Sequence, residues 1–167
     1  ENLAQYYSSK GVLLLELARW DEAEYYLREA LAVLERTEGP NHPHVAIGLN
    51  NLAELLRATN RFSEAEPLYR RALLIDETSY GPNHPKVAIR LNNLAGLLYA
   101  TNRPVEAEPL SRRSVEILVQ FQQQTGHKHP HFERFLGRYR SILESLGLDA
   151  AATEPRLRSL LEPLNPE

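Results

Sequence analysis

The sequence predicts an all-α chain built as a stack of helical hairpins, and three observations carry that prediction. The phrases "NHPHVAIGLNNLAELLRATNR", from Asn41, and "NHPKVAIRLNNLAGLLYATNR", from Asn83, stand 42 residues apart. Setting 41–82 against 83–124 gives 25 identities in 42 positions, the mark of stacked supersecondary units. Within a copy, Leu49, Leu52, Ala53 and Leu56 fall at i, i+3, i+4 and i+7, and a second apolar stripe runs through Ala65, Leu68, Tyr69, Ala72 and Ile75. Finally, small residues (Ala53, Ala65 and Ala72, echoed by Ala95, Ala107 and Ser114) stand where two helices of a hairpin have to approach closely.

The elements follow in order. The first unit, about 1–40, holds a poorly matching helix over about 3–18, with Ser8, Ser9, Lys10 and Gly11 in place of Asn-Asn-Leu-Ala. "RWDEAEYYLREALAVLE" (19–35) then stands in register with "RFSEAEPLYRRALLIDE" (61–77). Asp21 with Glu24 and Ser63 with Glu66 have capping-box spacing. In the third unit Val105 cannot cap, although Pro104 suits a first helical position. Asn60 and Asn102 are expected C-terminal caps, because asparagine tolerates the left-handed conformation that ends helices. Gly-Pro-Asn-His-Pro joins units at 39–43 and 81–85. The second and third units span 41–82 and 83–127, the latter carrying a glutamine-rich insertion of three residues. "HPHFERFLGRYRSILESLG" (129–147) resumes the first-helix pattern, with Arg140 where a small alanine belongs. "DAAATEPRLRSLLEPL" reads as a capping helix, closing a degenerate fourth unit over 128–167.

Composition removes several classes of function. The chain has 167 residues, enough for one domain of ordinary size, and a net charge of −3 from 19 basic and 22 acidic residues, so bulk charge does not point to nucleic acid. Apolar runs such as Gly11-Val12-Leu13-Leu14-Leu15 fall far short of the roughly 20 residues a membrane helix needs. With no cysteine, disulfides, thiolate metal sites and cysteine nucleophiles are excluded together. The chain begins at Glu1 and contains no methionine, so it reads as a piece of a longer product; the expected compartment is the cytoplasm.

The layout of Leu-Ala, then Leu, then Ala, Tyr and Ala resembles a tetratricopeptide repeat. The 42-residue period, "HPxVAxxLNNLAxLL" and "EAEPLYRRAL" resemble its kinesin-light-chain type. The resemblance implies one solenoid over 1–167, a right-handed superhelix of about four hairpins whose first helices line a concave groove. It places Ile47, Asn50, Asn51, Glu54 and Arg57 on that wall, then Ile89, Asn92, Asn93, Gly96 and Tyr99. The first unit adds Gln5, Ser8, Ser9, Val12 and Leu15, and the fourth Arg134, Arg138 and Ser141.

Adjacent asparagines inside a helix are not chosen for propensity. Asn50 and Asn92 either brace the next hairpin or bind. Asn51 and Asn93 match the position at which related domains hold an extended peptide backbone, which needs a donor and an acceptor together. The expected function is a non-enzymatic module that binds a partner protein's extended segment. An apolar or aromatic anchor would meet Tyr99, Leu15 and Ile89, and acidic residues would meet Arg57, Arg134 and Arg138. Kinesin light chains recognise tryptophan-plus-acidic motifs of this general kind, but this chain has no heptad coiled coil, so a transport role does not follow. The alternative is a structural, self-associating or regulatory array within a larger protein.

No catalytic motif is present: no GxSxG, Gly-rich phosphate loop or HExxH. Five of six histidines cluster, at His42-Pro-His44 and His127-Lys-His129-Pro-His131. Because His42, His84 and His129 each precede a proline, they read as parts of the connector. Imidazoles without a carboxylate or cysteine are weak grounds for a metal. No metal and no cofactor is expected. Arg70-Arg71 and Arg112-Arg113 lie one turn from Glu64, Glu66 and Glu108, so helical pairing on a solvated face is expected rather than nucleic-acid binding.

Overall fold

The computed structural model describes residues 3–162. The outermost parts of the first and last units, 1–2 and 163–167, including the end of the capping segment, lie outside the described residues. Among those described there are eight α-helices and no strand: α1 (Leu3–Glu16), α2 (Trp20–Glu38), α3 (Pro43–Ala58), α4 (Phe62–Tyr80), α5 (Pro85–Ala100), α6 (Pro104–Thr125), α7 (Phe132–Ser145) and α8 (Ala150–Leu161). They fall into two compact units divided between Ser79 and Tyr80. In the first, α1 packs on α2, α2 on α3 and α1 on α3. In the second, α5 packs on α6, α6 on α7, α7 on α8, α6 on α8 and α5 on α7. Within each unit, successive helices pack on one another and on the next but one, as α1 does on α2 and α3 and α5 on α6 and α7, the contact pattern of a helical solenoid.

The turns inside the hairpins follow from the asparagines. Asn60 and Asn102 have φ of 60° and 58°. The Arg61 N–H donates to the Leu56 carbonyl at 2.7 Å and the Asn60 N–H to that of Arg57 at 3.1 Å, the paired bonds of a Schellman turn. Arg103 and Asn102 repeat them onto Leu98 and Tyr99. In the first hairpin the same turn is made by Ala18, at φ 56°, with the Arg19 N–H on the Leu14 carbonyl at 2.9 Å. Left-handed backbone costs an L-residue roughly 1–2 kcal/mol, whereas glycine adds about 0.4–1 kcal/mol of unfolded-state entropy. Ala18→Gly is therefore expected to stabilise the protein by about 0.5–1 kcal/mol in a denaturant melt.

The starts of the second helices differ from the capping boxes read in the sequence. α2 and α4 begin at Trp20 and Phe62, so Asp21 and Ser63 already lie inside their helices, and Arg19 makes no side-chain cap. The Schellman turn delivers the chain to arginine, and its guanidinium forks onto the glutamate three residues on. Arg19 holds Glu22 (2.7 and 2.7 Å), Arg61 holds Glu64 (2.7 and 2.8 Å) and Arg103 holds Glu106 (2.7 and 2.8 Å). These exposed pairs are worth little singly. Arg61 also reaches Glu24 on α2 at 2.6 Å, which ties that turn to the preceding helix. α6 does begin at Pro104, as its sequence suggests.

The connectors are built by histidine. His42 and His84 are the N-caps of α3 and α5, and Pro43 and Pro85 are the first helical residues. Each imidazole accepts through Nδ1 from the backbone two residues on, His44 at 3.2 Å and Lys86 at 3.1 Å. The fourth unit differs: Pro130 stays outside α7, which starts at Phe132 after a turn closed by the Phe132 N–H on the His129 carbonyl. The three inserted residues go into α6, 22 residues long against 19 for α2 and α4, and Gly126 ends it at φ 71°.

Packing follows the stripes. In the first unit Ala4, Val33, Leu34, Val45, Ala46, Leu49, Ala72 and Ile75 form one buried cluster, and Ala53 and Ala65 are fully buried; so are Ala95, Ala107 and Ser114 in the second unit. Gly11 occupies the register of Ala53. A Cβ there would lie 2.7 Å from Leu27 Cγ, so α2 presses closer on α1 than an alanine allows.

Candidate functional site

In the first unit, α1 and α3 share a face. Asn51 lies half-buried on α3 with Nδ2 3.5 Å from Ser8 Oγ on α1. Beside them a cavity of about 380 Å³ is lined by Gln5, Ser8, Ser9, Ile47 and Gly48, with Ala4 and Leu34 as apolar floor and Glu38 and His44 at the rim. Val12 and Leu15 are half-buried on α1. Asn50 is only 9% exposed, which favours bracing over binding for it. One turn further on, Glu54 accepts from the Tyr69 hydroxyl at 2.7 Å through Oε1 and from Arg57 at 2.8 Å through Oε2. Burial, and then the Glu54 charge, push the Tyr69 phenol far above its ordinary range, so it remains a donor. Arg57 itself is exposed.

In the second unit, Ile89 and Asn93 are half-buried and Tyr99 is exposed on α5, whereas Asn92 is 1% exposed. Arg138 reaches from α7 onto α5: a Cβ on Gly96 would lie 1.6 Å from its Nη1, so the guanidinium fills the space a side chain at 96 would need. The equivalent of Gly96 one period earlier is Glu54, and the exchange admits a cation to this face where the first unit has a carboxylate. Arg134 and Ser141 are exposed on α7, Arg134 over the Phe135 ring at 5.4 Å. A second cavity, about 520 Å³, lies among α6, α7 and α8 and is lined by Glu108, Arg112, Tyr139 and Arg156 among others. Burial, with Glu108 beside it, pushes Tyr139 up to about 12.

The outer arginines are absorbed structurally. Arg70 pairs with Glu66 at 2.7 Å and Arg112 approaches Glu108 at 3.8 Å. Arg71 donates to the Pro40 carbonyl at 2.8 Å and Arg113 to that of Pro82 at 3.0 Å, so the second arginine of each pair ties down a connector. Sequence reasoning missed that role, although recurrence of the pair at 42 residues was its signal.

The histidines part company. His129 accepts from the His131 N–H at 3.2 Å, and no carboxylate stands with them in a three-ligand group among the described residues. His42 and His44 do have one: Glu38 Oε2 is 2.5 Å from His42 Nδ1 and 2.7 Å from His44 Nδ1. In sequence these imidazoles are weak grounds for a metal without a carboxylate, and the last residue of α2 supplies one.

These environments set a pH dependence. Burial holds His129 and His131 below the ordinary imidazole value of 6.5. Burial raises Glu24, but hydrogen bonds from Arg61 and Arg28 outweigh it and hold the carboxyl below 4.5, and Arg61 holds Glu64 down likewise. In all four cases the unfolded chain binds protons first on acidification, so stability is complete above pH 6.5 and falls as the pH drops. Melting temperature is expected to decline in two stages, below 6.5 and again below 4.5, and His129→Gln with His131→Gln should flatten the first. A melting temperature unchanged from pH 7 to 5 would contradict this assignment.

Comparison with known proteins agrees with the geometry. The tetratricopeptide-repeat family matches residues 2–77 and 61–118. Among curated proteins no sequence matches. Of solved structures, BtubC (BKLC) from P. vanneervenii superposes with a TM-score of 0.81 at 22% identity, over 98% of this chain and 65% of that one. A kinesin-light-chain-type protein from Podosopora anserina with nearly identical TPR-like repeats gives a TM-score of 0.62 at 16% identity, over all of both chains, and a point variant of it gives the same score. This chain therefore spans somewhat less than two thirds of BtubC.

Proposed function

The chain belongs to the tetratricopeptide-repeat family, and from that premise we propose that it binds an extended segment of a partner protein on the first-helix faces of its repeats. Repeats of this family generally mediate protein–protein interaction and are typically non-enzymatic. Among the described residues no helix is long and apolar enough to cross a membrane. The observation that carries the reading is the α1–α3 face: half-buried Asn51 beside a cavity edged by Gln5, Ser8, Ser9 and exposed Ile47. A side chain amide there can both donate to and accept from a peptide backbone, while the cavity takes a side chain. In the second unit Asn93 holds the same register, with exposed Tyr99 offering aromatic contact and Arg134 and Arg138 offering positive charge to acidic residues. The test is capture from a peptide array by the chain, with Asn51→Ala and Asn93→Ala together as control. Capture undiminished by that pair would reject the reading.

A structural, self-associating array is the second reading, favoured by exposed Leu13, Leu17, Trp20 and Tyr25 on and between α1 and α2. Molecular mass in solution separates the two: a monomer that captures peptides supports the first, and a discrete oligomer that captures none supports the second.

A further inference from the structure

We propose that Glu38, His42 and His44 form a binding site for a divalent transition-metal ion of the zinc class. The ligand atoms of these three side chains lie within 4.8 Å of one another, and one carboxylate oxygen faces both Nδ1 atoms. Two neutral imidazoles and a carboxylate, with no thiolate, are a donor set suited to zinc, nickel or copper and poorly suited to magnesium or calcium.

Hydrogen bonding alone does not satisfy the cluster. His42 Nδ1 accepts from the His44 N–H at 3.2 Å, which needs its lone pair, yet the same atom lies 2.5 Å from a carboxylate oxygen that also needs a donor. A nitrogen cannot accept and donate through one position. A cation between the two atoms removes the conflict, exchanging a long cap bond for a metal–nitrogen bond. Bond lengths of about 2.0–2.2 Å in a tetrahedral site place ligand atoms roughly 3.4 Å apart. Glu38 Oε2 therefore has to withdraw from each imidazole by somewhat under 1 Å, a change within reach of partly exposed side chains.

The repeats supply an internal control. One period later the same backbone carries Tyr80, His84 and Lys86 in place of Glu38, His42 and His44. There the Lys86 ammonium donates to the Tyr80 hydroxyl at 2.8 Å, and the Tyr80 ring stacks on His84 with centroids 4.8 Å apart. The connector therefore forms without ligating side chains, so the requirements of the fold do not account for Glu38 and His44. Both non-cap positions differ between the repeats, and both differences create ligands. Glu38 and His44 also border the cavity beside Ser8 and Ile47. Three protein ligands leave the fourth position of a tetrahedral ion to water or to an incoming group.

The inference replaces the sequence expectation of no metal, and it stands or falls separately from peptide binding. The experiment is calorimetric titration of the whole chain with Zn2+ alone at neutral pH, with melting temperature as a second readout. One equivalent should bind, raise the melting temperature and be released by a chelator. Glu38→Gln and His44→Lys should each weaken binding about tenfold or more, since the loss of a ligand exceeds the usual cost of losing its outer support. His44→Lys installs the residue the next repeat already tolerates, so loss of binding there is not loss of fold. His129→Gln with His131→Gln should leave binding unchanged. No bound zinc, binding that survives both first-connector variants, or binding that goes with His129 and His131 would each overturn the proposal.

Discussion

Leu52→Ala and Leu94→Ala are each expected to cost roughly 2–5 kcal/mol of stability, because each removes the three carbons beyond Cβ from a buried site that its surroundings refill only in part. Leu52 is 2% exposed on α3 and Leu94 1% exposed on α5, each beside a fully buried alanine in sequence. Alanine neighbours such as Ala53 and Ala95 have no side chain to swing into a void, so collapse around it is limited and the upper half of the range is favoured. With a urea m-value of about 2 kcal/mol/M, the midpoint should fall by about 1–2.5 M. Leu74→Ala is the matched control: Leu74 is 64% exposed on α4, and its truncation should stay within about 0.5 kcal/mol. Equal effects at Leu52 and Leu74 would mean that the inward faces are wrongly assigned.

What the sequence made legible is what a helix period and a repeated turn can encode locally. The stripes through Leu49 and Leu56 and through Ala65 and Ile75 became α3 and α4. Asn60 and Asn102 became left-handed turn residues, and His42 and His84 became caps of helices that open on proline. Each of these depends on residues within one turn of one another. The capping boxes failed on the same scale because two local signals competed. The Schellman turn at Asn60 ends one helix only two residues before the next begins, which leaves Ser63 inside α4 and gives its first turn to the Arg61–Glu64 fork.

Other features were illegible because they join residues that the fold alone brings together. Arg71 meets the carbonyl of Pro40 31 residues away, and Arg113 meets that of Pro82 at the same separation. Glu38 meets His44 only because Gly39, at φ 93°, turns the chain back on the end of α2. Arg138 meets Gly96 across two helices, so neither residue announced the other. The candidate face is read from a register on the first helices, in which Asn50 is left open between bracing and binding; only the folded chain shows Asn50 buried and Asn51 half-buried, a single 100° step apart around α3.

The second large effect is expected at that half-buried register. If Asn51 and Asn93 hold a ligand backbone, alanine at both should weaken peptide capture about five- to a hundredfold, because each lost side-chain hydrogen bond is worth roughly 0.5–1.5 kcal/mol. The helical signal should stay intact, as both positions are partly exposed and alanine is the better helix former. Arg57→Glu with Arg138→Glu should act differently. Capture of acidic peptides should fall most, and the loss should shrink at high salt, since exposed charges beyond a Debye length of about 8 Å at physiological ionic strength are screened. A hydrogen-bond defect at the asparagines has no such salt dependence, so titrating salt separates the two contributions in one assay. Arg70→Glu with Arg112→Glu, on the second helices, should leave capture nearly unchanged while removing pairs with Glu66 and Glu108 that are worth a few tenths of a kcal/mol each. If instead the second-helix pair abolishes capture and the asparagine pair does not, the working surface is the outer one, and the array reading takes its place.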